Sequence, residues 1–132
     1  CVFVMHTPST NIYFAGDTGY DGFFKKIGEK FNPIDIALIP IGAFRPRWFM
    51  QPIHVNPEEA VLIHKDVGAQ KSIGMHFGTF PLADDGMSEA AKDLAKARNK
   101  HGVSDQVFFT LNEGETYEAT KHIQEFRKSA VG

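Results

Sequence analysis

Apolar positions along the chain switch between two periods, and the switches mark out alternating strands and helices. "CVFVM" and "NIYFAG" read as strands, and "HTPSTN" between them supplies Pro8, Ser9, Thr10 and Asn11 as breakers, so the pair predicts a hairpin. From Phe23 the period lengthens. Phe23, Phe24, Ile27 and Phe31 fall on one helical face, with Gly28 a local weakness and Asn32-Pro33 a stop. "IDIALIPIG" is then a nearly unbroken apolar run, the pattern of a strand covered on both faces and placed inside a sheet.

"AFRPRWFMQPIHV" reads as a loop by its two prolines and ends at a well-marked helix start. Asn56 is the expected N-cap, Pro57 occupies the first helical position, and Glu58 and Glu59 put negative charge where the helix dipole favours it. Ala60, Ile63 and Val67 give the buried face, and Gly68 is the expected stop. "KSIGMHFGTF" follows as a short strand running into a glycine loop. Ser88 to Lys100 predicts a helix ending before Gly102, "VFFTL" a strand, and "GETYEA" a partner for that strand. "TKHIQEFRKSAVG" reads as a polar helix or frayed tail. No internal repeat, low-complexity tract or linker interrupts this alternation, which argues for a layered α/β architecture with a mixed sheet flanked by helices.

Composition narrows the function classes. At 132 residues the chain is one domain or part of one. A net charge of −2 offers no general attraction to nucleic acid or anionic lipid. The longest apolar stretch, from Ile36 to Phe44, is far short of the ~20 residues of a membrane helix and contains Pro40 and Gly42. The single cysteine, Cys1, rules out an internal disulfide and a cysteine-rich zinc site, which favours a reducing, cytoplasmic setting. The chain opens on Cys1 and runs straight into a strand without a visible signal peptide, so it is expected to begin inside a larger protein.

In α/β sheets the working residues gather at the carboxyl ends of strands. Asp17 follows "IYFAG", His76 closes "SIGM", and His54 stands just ahead of the Asn56-capped helix. If these ends lie side by side, a carboxylate and two imidazoles converge, a donor set that suits zinc, iron or manganese. Each residue also has a plainer reading: Asp17 as a turn or cap residue, His76 as a hydrogen-bonded core histidine, His54 as a loop residue staking the helix entry. His6, His64, His101 and His122 fall in turn or helix-surface contexts and receive no functional role.

Four stretches in order, "GDTGY", "PRWFM", "HVNPEEA" and "H-x-GTF", carry a specific likeness. From about Tyr13 to about Thr116 the chain closely resembles the C-terminal half of the N-acyl-phosphatidylethanolamine-hydrolysing phospholipase D family, within the metallo-β-lactamase superfamily. The resemblance implies the C-terminal half of an αβ/βα sandwich. It implies that Asp17 bridges two zinc ions, that His76 is a ligand of the second metal, and that His54 lies at the active site near the substrate phosphate. The implied chemistry is attack by a zinc-activated hydroxide on a phospholipid phosphodiester, with Asp17 and His54 as the catalytic pair and Arg47, Trp48 and Phe49 facing the acyl chains or head group.

The chain departs from the family in three respects. The "His-x-His-x-Asp-His" motif that supplies most first-metal ligands is absent, as is a further His ahead of the bridging Asp. Arg45 stands where relatives usually carry an acidic residue, and Phe77 where Trp is usual. The chain alone is therefore expected to bind metal weakly and to show little activity. Its exposed sheet face and edge favour a homo-oligomer, and the parent enzyme a peripheral membrane contact. Alternatives that stay open are hydrolysis of a lactone or another phosphodiester on the same metals, a non-catalytic interaction module, and a phosphate-acceptor role for Asp17. The last lacks the adjacent second carboxylate that such chemistry wants.

Overall fold

In a computed structural model that describes residues 1–80, 83, 84, 86 and 88–119, the apolar runs become a five-stranded sheet. The elements are β1 (Phe3–His6), β2 (Asn11–Phe14), α1 (Phe23–Phe31), β3 (Ile34–Pro40), α2 (Arg47–Met50), α3 (Pro57–Val67), β4 (Ala69–Met75), α4 (Glu89–His101) and β5 (Phe108–Thr110). Strand order follows chain order. β1 and β2 form the expected antiparallel hairpin, and β2, β3, β4 and β5 run parallel. Parallel neighbours need crossovers, and α1, α3 and α4 provide them.

β3 lies in the middle of the sheet, as its unbroken apolar run requires, and every residue in it except Leu38 is buried. One polar group in that run has a local purpose: the fully buried Asp35 carboxylate accepts the Asn11 N–H at 2.8 Å, joining the start of β2 to β3. α3 begins and ends where its sequence says. Asn56 accepts the Glu59 N–H while Glu59 reaches back to the Asn56 N–H, a complete capping box, and Gly68 closes the helix in the left-handed conformation.

α3 packs on β3 and β4 with α1 and α4 beside it, forming one helical layer. The row Tyr13, Ala37, Ser72 and Phe108 faces that layer and is fully buried. The alternate row, Phe3, Phe14, Leu38, Ile73 and Phe109, crosses all five strands on the opposite face and is only partly covered or exposed. Among the described residues no helix is long and apolar enough to cross a membrane.

Three expectations need correction. The stretch expected to be only a loop contains the one-turn helix α2, whose four residues are too few to show a period in the sequence. "GETYEA" forms no strand beside β5. The Asn112 N–H and Nδ2 both donate to the Glu115 carboxylate, and the Glu115 N–H returns to the Asn112 carbonyl, so the segment closes as a turn. His64 is no surface residue. It is 7% exposed, and its Nδ1 lies 2.7 Å from the Ser72 hydroxyl on β4. Residues from Thr120 on, expected to be a polar helix or tail and including His122, lie outside the described residues.

Candidate metal centre

Because β2, β3 and β4 are parallel, their carboxyl ends share one edge, and three loops leave from it. The first carries Asp17, with a side chain 59% exposed. Tyr20 fixes this loop to the end of α3: its hydroxyl donates to Asp66 at 2.6 Å, which pushes the Tyr20 pKa up to about 12. A Cβ on Gly19 would lie 2.5 Å from the Pro52 carbonyl oxygen, so only glycine lets the Asp17 loop press against the segment that leads to His54.

His54 follows α2, and its N–H donates to the Met50 carbonyl at 2.7 Å. His76 sits one residue past β4 at φ +59°, a left-handed conformation that costs a non-glycine residue on the order of 1 kcal/mol. The surrounding packing holds it there. The Ile41 N–H donates to the Met75 carbonyl at 3.0 Å, and the backbone of Gly42 lies where any Cβ would collide with the His76 carbonyl oxygen.

These loops bring Asp17, His54 and His76 together. One ligand atom from each lies within 4.8 Å of the others. His76 Nε2 is 3.5 Å from Asp17 Oδ1, and the two imidazole rings stack with centroids 5.3 Å apart and planes 23° from parallel. Two donors on one tetrahedral ion lie roughly 3.4 Å apart, given metal–ligand bonds of about 2.1 Å. The nitrogen and oxygen set therefore fits a divalent cation after small side-chain adjustments.

The neighbouring residues split in two. Trp48 and Phe49 are 83% and 58% exposed, packed edge to face against each other. With the exposed Ile53 and Phe80 they put apolar surface on the loops that carry the histidines. Arg47 turns inward instead: Nη1 donates to the His54 carbonyl at 2.9 Å and Nη2 to Glu59 Oε2 at 2.9 Å. Sequence reasoning placed Glu59 only as a first-turn charge and missed this second partner. The capping box it forms with Asn56 could have been read from their three-residue spacing, but the contact to Arg47 had no local signal. A separate cavity of about 630 Å³ between the Arg45–Arg47 segment, the start of α3 and α4 holds none of the three clustered residues.

Residues 1–77 match the model of a β-lactamase superfamily domain. The chain belongs to the β-lactamase superfamily. Within that superfamily it is 49% identical over 113 residues to an N-acyl-phosphatidylethanolamine-hydrolyzing phospholipase D of Caenorhabditis elegans, covering 82% of this chain and 31% of that protein. A mitochondrial protein of the same name from Saccharomyces cerevisiae is 34% identical over 111 residues, covering 82% of this chain and 24% of that one. The chain thus spans about a third or less of the length of these relatives. Its fold matches a solved metallo hydrolase from Ignicoccus hospitalis with a TM-score of 0.61 at 24% identity, over 86% of this chain and 43% of the other. The Asp17, His54 and His76 donor set could hold a divalent metal ion.

Proposed function

We propose that this superfamily member forms the C-terminal part of a metal-dependent hydrolase that cleaves a phospholipid phosphodiester of the N-acyl-phosphatidylethanolamine type. The observation that carries the reading is the Asp17, His54, His76 cluster at one sheet edge, in a chain 49% identical to a phospholipase D of that description. Asp17 and His76 would hold the metal pair, with zinc the expected ion and iron or manganese served by the same ligands. When bound, such a pair supplies a water acidified toward neutrality and positive charge against the phosphoryl oxygens. His54 then hydrogen-bonds a phosphoryl oxygen and passes a proton toward the leaving alkoxide. Trp48 and Phe49 offer apolar contact to the acyl chains, and that rim supports a peripheral contact with lipid.

Asp17 and His76 are fewer ligands than two metals need, so the remaining ligands would come from the rest of the domain, whose packing would also cover the row from Phe3 to Phe109. The test is metal content by mass spectrometry on a protein extended to the relatives' length, beside its Asp17→Ala variant. About two zinc per chain, halved or lost in the variant, with turnover of a phosphodiester and not of a lactone, is the expected result. A metal-free wild type refutes the reading, and lactone turnover alone moves the substrate to another class.

A further inference from the structure

We propose that Arg47 is a positioning residue that sets His54 for the phosphodiester reaction, acting through Glu59 and the cap of α3, and this rests on the role proposed for His54 above. The backbone of His54 is held from both sides. Its N–H donates to the Met50 carbonyl at 2.7 Å and its carbonyl accepts Arg47 Nη1 at 2.9 Å. The same guanidinium nitrogen reaches the Phe44 carbonyl at 3.4 Å, so one side chain joins the two ends of the loop around α2. Arg47 Nη2 and the Asn56 N–H converge on a single oxygen, Glu59 Oε2, at 2.9 and 3.0 Å. Glu59 is in turn locked by its own N–H donating to Asn56 Oδ1 at 2.8 Å.

Three features make this a clamp and not an incidental surface pair. Both side chains are largely covered, at 30% and 18% exposure, so the pair is screened less than an open ion pair. The planar guanidinium fork serves a carboxylate and two carbonyls at once, which a lysine point charge does not reproduce. The rigid end of the chain of contacts is α3, while the far end is the residue that must meet the substrate to within a fraction of an ångström. Arg47 is therefore used up holding the loop. Its effect on the reaction passes through His54 and not through a head group.

The test is a double-mutant cycle on the full-length enzyme with bound metal quantified in each variant. Arg47→Met is expected to lower kcat/KM by about 10- to 100-fold at unchanged metal content, as misplacement of a reacting group by about 1 Å does. In a His54→Ala background the same change is expected to cost less than about 2-fold, because there is no imidazole left to misplace. Arg47→Lys, which keeps the charge without the fork, and Glu59→Gln, which keeps the shape without the charge, should give intermediate losses. A loss from Arg47→Met that is undiminished in the His54→Ala background overturns the proposal, since it places Arg47 on the substrate itself or in general scaffolding. Amide hydrogen exchange gives a readout independent of turnover: Arg47→Met should speed exchange at Ile53 and His54 by about tenfold or more and leave β3 unchanged. Unchanged exchange at those two amides refutes the clamp. Faster exchange with no effect of His54→Ala on turnover instead removes the proposed role of His54 and leaves the clamp standing.

Discussion

His64 is a sharp test of the core because it ties a buried titratable group to stability with a calculable pH dependence. It lies on the inner face of α3 at 7% exposure, bonded to the fully buried Ser72 hydroxyl at 2.7 Å. Burial pushes its pKa down to about 4, with the Lys65 charge adding to the effect. The unfolded chain protonates the imidazole near pH 6.5. Between these values the unfolded state binds more protons than the folded one, so stability is complete above the unfolded pKa and falls as pH falls through the window. A separation of roughly 2.5 pK units corresponds to about 3 kcal/mol in full, of which about 2 kcal/mol is lost between pH 7 and pH 5. Glu58 is a poor competing explanation: hydrogen bonds from Lys100 and His101 hold its carboxyl below the ordinary range, so its own loss comes at lower pH. Guanidinium melts at pH 7, 6 and 5 should show the wild type losing about 2 kcal/mol more than His64→Gln, which stays neutral throughout. Equal losses in the two proteins would refute the buried, neutral histidine.

Two further outcomes follow from the geometry of the site. If His76 holds metal as proposed, Gly42→Ala should weaken metal binding by about tenfold in a metal titration of the extended protein, because the new Cβ collides with the His76 carbonyl and must move that residue, and overpacking should cost about 1–3 kcal/mol in thermal melts. Unchanged affinity would show that His76 can shift freely. Trp48→Ser together with Phe49→Ser should leave stability within about 0.5 kcal/mol, since both rings are exposed, and under the proposed phosphodiesterase reading should raise KM for long-chain over short-chain phosphodiesters. Equal KM changes for both would remove the acyl-chain contact.

What the sequence determined by itself was whatever rests on chemistry between near neighbours. The α3 boundaries were legible because Asn56, Pro57 and Gly68 act within one turn of themselves, and the hairpin because its breakers sit between two short apolar runs. The unbroken run in β3 announced a central strand because only burial on both faces tolerates it. His64 was misplaced although it falls four residues after the buried Ala60. A polar side chain masks a buried phase unless its partner is known, and Ser72 is eight residues away on another element. The turn at Asn112 won over a strand because Glu115 offered its backbone nearer partners.

The tertiary structure decided the rest. Asp17, His54 and His76 stand 37 and 22 positions apart, and no local pattern links them. They meet because each crossover returns the chain to the sheet in the same direction, so successive strands deliver their carboxyl ends to one edge. The inward turn of Arg47 has the same origin. A guanidinium next to exposed aromatics looks like a ligand contact in one dimension, and only the packing of α2 against the cap of α3 puts Glu59 and the His54 carbonyl within its reach.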